Sequence, residues 1–195
     1  MHLVIIKYNA GNVQSVMYAL DRLNVPYTLS DDESEIRNAD KVIFPGVGEA
    51  SSTMSYLKNK GLDQIIPTLE QPVLGICLGM QLMCRYSEER DTDCLGIFDH
   101  EVKKFPDSDL KVPHIGWNEL KNTDSPLLTD LGEAPHVYFV HSYYVEKGPF
   151  TISSCEYGLA FSAAMHKDNF YATQFHPEKS GKIGAQILKN FIEKI

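Results

Sequence analysis

Cys77 stands between two glycines in Val73-Leu74-Gly75-Ile76-Cys77-Leu78-Gly79-Met80-Gln81, an apolar run that ends at the thiol. Gly-x-Cys-x-Gly has the form of a nucleophile elbow, in which small residues let a strand and a helix approach closely and leave one side chain exposed at a strained turn. Taken alone, these five residues read first as an inert buried thiol in a tight turn. A thiol that attacks a carbonyl needs a base or imidazolium partner, a carboxylate to orient that partner, and donors for the oxyanion. Gln174-Phe175-His176-Pro177-Glu178-Lys179-Ser180 offers the first two. Pro177 biases His176 toward an extended backbone, so the side chains of His176 and Glu178, two residues apart, face the same side. By itself this segment reads as an exposed turn, and six further histidines, at 2, 100, 114, 136, 141 and 166, show that the residue type alone decides little.

Pro45-Gly46-Val47-Gly48 supplies a third candidate. Gly-x-Gly after a strand suggests a dinucleotide phosphate loop, but Ser51 occupies the place of the third glycine. A loop that presents backbone N–H groups to a developing negative charge fits better, and the N–H of Leu78 at a helix start would complete an oxyanion hole.

These residues serve chemistry only if the fold carries them to one place. Apolar runs at 3–6, 27–29, 41–44 and 73–76 read as strands, with helices between them. The first helix has Asn12 as its N-cap and carries Val13, Val16, Met17, Leu20 and Leu23 at helical spacing. A second runs through Ala50, Met54 and Leu57 and stops near Gly61, and a third spans 78–86. Alternation of this kind predicts an α/β fold of three layers, with a mostly parallel central sheet covered by helices on both faces. In such sheets ligands bind at the carboxyl ends of the strands, where Gly48 and Cys77 both fall. From about residue 94 the pattern changes to short strands at 102–105, 136–140, 151–156, 160–165 and 171–175, which read as additional, partly antiparallel strands. A last amphipathic helix carries Ile183, Ile187, Leu188, Phe191 and Ile192. With no repeat, linker or low-complexity tract, the chain reads as one domain over 1–195.

Composition narrows the function classes. A net charge of -8 without a basic cluster argues against a nucleic-acid partner. No apolar run approaches the roughly 20 residues that cross a bilayer, and the N-terminus reads as a first strand rather than a leader, so no membrane is expected and the cytoplasm is the expected compartment. Cys77, Cys84, Cys94 and Cys155 have neither zinc-site spacing nor the density of a disulfide framework. No metal and no cofactor is expected.

Gly75-Ile76-Cys77-Leu78-Gly79-Met80-Gln81 and His176-Pro177-Glu178 together resemble the class I (triad) glutamine amidotransferases, whose sheet is flavodoxin-like, over essentially the whole chain. Pro45-Gly46-Val47-Gly48, Pro113-His114-Ile115-Gly116-Trp117-Asn118 and the extended segment 174–180 narrow the resemblance to the glutaminase subunits of imidazole glycerol phosphate synthases. The resemblance implies that Cys77 attacks the side-chain amide of glutamine, that His176 protonates the departing ammonia, and that Glu178 orients His176. It implies oxyanion N–H groups at Val47 and Leu78. It implies a glutamine pocket of Gly46, Gly48, Gln81, Glu89, His141, Ser142 and Tyr143, with Glu89 facing the substrate ammonium; by itself Glu89 reads as a solvated charge. It also implies a heterodimer with a (β/α)8-barrel cyclase, which uses the ammonia to make imidazole glycerol phosphate and an aminoimidazole carboxamide ribotide, and an interface including Asn12, Trp117, Tyr138 and Lys179. Where many relatives read Asp-Tyr-Gly-x-Gly-Asn, this chain has Lys7-Tyr8-Asn9-Ala10-Gly11-Asn12, a change near the implied interface. A paralogous glutaminase that feeds a synthase of amino or amidino sugars keeps the same motifs, and the sequence does not separate the two. A cysteine hydrolase of similar sheet architecture and a catalytically silent binding subunit fit the motifs less well.

Overall fold

A computed structural model describes residues 1–8, 13–46, 48–106 and 110–195. Strand β1 (Leu3–Ile6) is buried along its whole length, as expected of a strand covered on both faces. Helix α1 (Val13–Arg22) turns Val13, Val16, Ala19 and Leu20 inward at the i, i+3, i+4 spacing that makes one apolar stripe; its expected cap, Asn12, lies outside the described residues. Strand β2 (Tyr27–Ser30) leads into α2 (Glu33–Arg37), a short helix not foreseen in the sequence, whose cap Asp32 accepts the N–H of Glu35. After β3 (Lys41–Phe44), helix α3 (Ala50–Lys60) stops at Gly61, where a φ of 71° returns the amide to the carbonyls of Leu57 and Lys58. A single turn, α4 (Leu62–Ile65), precedes the wholly buried β4 (Val73–Ile76).

The next helix, α5 (Leu78–Met83), is shorter than the expected span of 78–86. Residues Cys84–Ser87 form strand β5 instead. Sheet pairing overrides the helical continuation here, because β5 is held between β6 (Thr92–Asp93) and β7 (Phe98–Lys104), with Cys84 and Ser87 buried. The rest of the chain supplies β8 (His114–Glu119), β9 (His136–His141), β10 (Tyr143–Val145), β11 (Thr151–Glu156), β12 (Ala160–Lys167), β13 (Phe170–Thr173) and the terminal helix α6 (Gly181–Glu193).

Among the described residues the main sheet runs β11-β12-β13-β4-β3-β1-β2. The five strands from β13 to β2 are parallel, and β12 and β11 extend them antiparallel, as the change of pattern in the second half predicts. Alternate residues of β1 feed two apolar layers: Val4 and Ile6 join Phe44, Met54 and Met80 on one face, while Leu3 and Ile5 join Leu20, Phe139 and Phe191 on the other. A smaller sheet, β10-β7-β5-β6, and the β8–β9 ribbon flank the carboxyl edge.

That edge is where the sequence motifs meet. Register pairs Ile76 of β4 with Thr173 of β13, so Cys77 and Gln174 are the next residues outward, and the Cys77 N–H donates to the Thr173 carbonyl at 2.7 Å. The end of β3 passes so close to the start of α5 that two glycines are obligatory. A β-carbon on Gly79 would lie 2.2 Å from the Phe44 carbonyl oxygen, and one on Gly46 would lie 2.3 Å from both the Gly79 nitrogen and the Ile76 oxygen. These are backbone atoms with nowhere to move. Gly79→Ala is therefore expected to destabilise the fold by about 3 kcal/mol, at the upper end of ordinary overpacking, measured by urea unfolding; a loss within experimental error of zero would refute the close approach.

Candidate active site

Cys77 adopts φ 51° and ψ -104°, a conformation sparsely populated by residues with a β-carbon. Two requirements impose it. The β4 ladder continues through the Cys77 N–H, while the Cys77 carbonyl already accepts the Gln81 N–H that opens α5. One residue must reverse the chain between them. The resulting strain, about 1–3 kcal/mol for such outliers, points the thiol into a cavity of about 310 Å³.

His176 follows β13 with an extended backbone, φ -100° and ψ 96°. Its N–H donates to the Tyr138 carbonyl at 2.9 Å, and its carbonyl accepts the Ser180 hydroxyl at 2.6 Å, so the turn is fixed to β9 and to the start of α6. Nδ1 lies 2.7 Å from Glu178 Oε1 in a buried pair. A carboxylate accepts, so Nδ1 carries the hydrogen and Nε2 is the nitrogen left for the thiol. Burial pushes the His176 imidazolium down, but the Cys77 sulfur and the Glu178 carboxylate outweigh it and hold the group up at about 10. Nε2 is buried without a hydrogen bond of good geometry, so its tie to Cys77 acts chiefly through charge. The arrangement sets a thiol beside an imidazole braced by a carboxylate, the groups from which a sulfur nucleophile is made near neutral pH.

The cavity is lined by Gly48, Gln81, Glu89, His141, Ser142 and Tyr143 of the expected pocket, together with Cys77, Leu78 and His176. Gly46 is the exception: it packs under the elbow, where its missing side chain lets the backbones pass, and does not line the cavity. Val47 and Asn12 lie outside the described residues. Glu89 is half-buried rather than freely solvated, and its Oε2 caps α3 by accepting the Ala50 N–H at 2.7 Å. Burial and the neighbouring Glu49 raise its proton affinity, against the Ala50 amide and Arg90. A carboxylate so placed suits an ammonium in the cavity.

Two histidines stay neutral beside the charged one. His141 Nδ1 donates to the Tyr143 carbonyl at 2.7 Å, and burial holds the group down at about 3. His114 is held by burial at about 4 and stacks on Tyr157 with ring centroids 4.0 Å apart. Residues to which the sequence reading gave no site role include Pro113 and Val140 in the cavity wall, and Gln174, which reaches the Cys77 sulfur. Knowledge of the strand register would have found Gln174. Burial pushes the other thiols up, Cys94 and Cys155 to about 12 and Cys84 further, so none of them ionises near neutral pH.

Of the implied interface residues, Trp117 is 56% exposed and faces Tyr138 across the β8–β9 ribbon, with ring centroids 6.0 Å apart; Lys179 is also exposed. Ile115, on the same strand, is 60% exposed.

The family model for glutamine amidotransferase class-I matches residues 4–195. An imidazole glycerol phosphate synthase subunit HisH from Bacteroides fragilis is 57% identical, covering 99% of this chain and 100% of that protein. The protein of the same name from Pasteurella multocida is 46% identical over 100% and 98%. A solved glutamine amidotransferase structure superposes with a TM-score of 0.73 at 16% identity over 97% of each chain, a likeness of fold.

Two outcomes are expected of the site. In Cys77→Ala the raising influence of sulfur is gone and burial regains weight, so the His176 imidazolium, held up in the native chain by the sulfur and by Glu178, is expected to titrate at lower pH in imidazole ¹⁵N spectra; an unchanged midpoint would refute the pairing. Strain at the elbow makes Cys77→Gly more stable than Cys77→Ala by about 1 kcal/mol, after allowing for the greater freedom of unfolded glycine, and equal denaturation midpoints would show the turn to be relaxed.

Proposed function

The chain belongs to the class I glutamine amidotransferase family, and from that premise we propose that it is the glutaminase subunit of an imidazole glycerol phosphate synthase, acting in histidine biosynthesis through Cys77, His176 and Glu178. The observation that carries the reading is the convergence of Cys77, at a strained elbow opening into the cavity, with a His176 held by Glu178 at 2.7 Å. The relatives' shared name favours this reading over a paralogous glutaminase feeding another synthase.

Glutamine enters with its ammonium toward Glu89 and its side-chain amide over Cys77, among Gly48, Gln81, His141, Ser142 and Tyr143. His176 Nε2 takes the thiol proton as the sulfur attacks the amide carbon. The carbonyl electrons move to oxygen, where the Leu78 N–H and, by resemblance, the Val47 N–H receive the charge. Collapse breaks the C–N bond as His176 returns its proton to the departing nitrogen, releasing ammonia and leaving a thioester. Water then gives a proton to His176 while its oxygen attacks the carbonyl; the C–S bond breaks, and glutamate leaves. Glu178 keeps Nε2 aimed throughout.

The ammonia is consumed by a partner subunit of the complex. A (β/α)8-barrel cyclase is the partner this reading assigns, in a heterodimer, docked over Ile115, Trp117, Tyr138 and Lys179, with Asn12 included by resemblance. Exposure of two large apolar side chains on the β8–β9 ribbon supports that placement, since interfaces favour such anchors. The Tyr138 carbonyl bonded to the His176 amide supplies a direct route from this surface to the base. The cytoplasm is the compartment the reading assigns, and among the described residues no helix is long and apolar enough to cross a membrane.

Glutamate release by the purified chain is expected to rise more than about tenfold when the cyclase and its ribonucleotide are both present, since closure of the complex completes the site. Cys77→Ala is expected to lower the stimulated rate about a thousandfold or more. Absence of stimulation would remove the cyclase as partner, and undiminished turnover by Cys77→Ala would remove Cys77 as nucleophile.

A further inference from the structure

We propose that Gln174 is a catalytic residue whose side-chain N–H donates to the Cys77 sulfur, in an orientation imposed by Gln81. The proposal deepens the glutaminase reading and rests on Cys77 being its nucleophile.

Gln174 is completely buried, one residue beyond the end of β13. Its Nε2 lies 3.6 Å from Cys77 Sγ, and its Oε1 accepts from Gln81 Nε2 at 3.0 Å. The amide has two possible flips, and its neighbours decide between them. Gln81 Nε2 also reaches the Tyr143 carbonyl at 3.1 Å, and a carbonyl can only accept, so the end of Gln81 that faces both partners is its NH₂. Gln174 must then turn its oxygen to Gln81 and its NH₂ to the sulfur. The opposite flip would set two NH₂ groups head to head. Further out, the Tyr143 carbonyl is fixed by the His141 Nδ1–H, and the second nitrogen of His141 lies 3.0 Å from His114 Nδ1. Both imidazoles are neutral, so His114 donates and His141 accepts. The result is a continuous chain of hydrogen bonds, partly buried at Tyr143 and fully buried at Gln174, that ends on the nucleophile.

The chemistry of that last bond distinguishes the two forms of sulfur. The Val140 carbonyl, 3.9 Å from Sγ, accepts from a thiol S–H and offers nothing to a thiolate. The Gln174 N–H favours the thiolate, because hydrogen bonds to an ionised acceptor are about twice as strong as neutral ones. Gln174 transfers no proton. It stabilises sulfur as the anion before attack, and again as the leaving group when water opens the thioester.

The test is the pH dependence of Cys77 alkylation by iodoacetamide, followed by mass spectrometry, in the native chain and in Gln174→Met, with folding checked by circular dichroism. Gln174→Met keeps the side-chain length and removes the donor. The alkylation profile is expected to move to higher pH, with the rate at pH 7 falling about tenfold. A folded Gln174→Met whose profile superimposes on the native one overturns the proposal. Should that variant fail to fold, Gln81→Met leaves Gln174 in place but frees its amide to rotate; a shift in the same direction, though smaller, supports the proposal, and a superimposed profile overturns it. Alkylation needs neither glutamine nor a partner. Failure of the glutaminase reading would appear instead as absent glutamate release by the native chain in the complete mixture.

Discussion

The parallel ladder between β4 and β13 is the constraint on which the site depends. Parallel neighbours deliver their carboxyl ends to the same edge, so a thiol at residue 77 and an imidazole at residue 176 emerge side by side although they are far apart in the chain. Side-chain alternation then sorts the residues just beyond β13. Gln174 and His176 share a parity and face the elbow, while Phe175 between them turns into the core, with its ring centroid 5.8 Å from that of Phe139. Phe175 thereby pins the register. A slip of one residue would carry the aromatic ring to the sulfur and bury the base in the apolar layer.

Electrostatically the site holds one histidine cation and two neutral histidines. Burial drives all three imidazoles toward the neutral form, and only His176 is reversed, because it alone lies between the Cys77 sulfur and a carboxylate. His141 feels His176 as a like charge, which adds to its own desolvation. Neutrality gives His141 and His114 definite donor and acceptor ends, so they organise hydrogen bonds where a second cation would repel the first. Three residues of one type thus take two roles through their surroundings.

The parallel half of the fold, and the meeting of Cys77 and His176 at its carboxyl edge, were legible in the sequence because strand runs and turns are local signals. Buried strands announce themselves as β-branched runs, Gly61 as a helix stop, and Pro177 as an extended His176. The hidden features depend on pairing between distant segments. Cys84–Ser87 joins its sheet only because β7, more than ten residues on, offers an edge. Glu89 looks solvated in its charged run, yet its carboxylate caps a helix that begins at Ala50. Gln174 stands in the sequence without an evident role, since nothing local says that its amide meets both Cys77 and Gln81. Gly46 enters the implied pocket by resemblance alone, whereas its close neighbours in the fold are backbone atoms.

The interlocked glycines at the elbow bear on how a match to this motif is interpreted. Gly46 and Gly79 are required by the passage of one backbone across another, a demand that holds whether or not any reaction occurs. A chain that kept this fold with other side chains at positions 77 and 176 would still need both glycines. The glycine frame of the motif therefore reports the fold, and a match to the glycines alone says nothing about turnover.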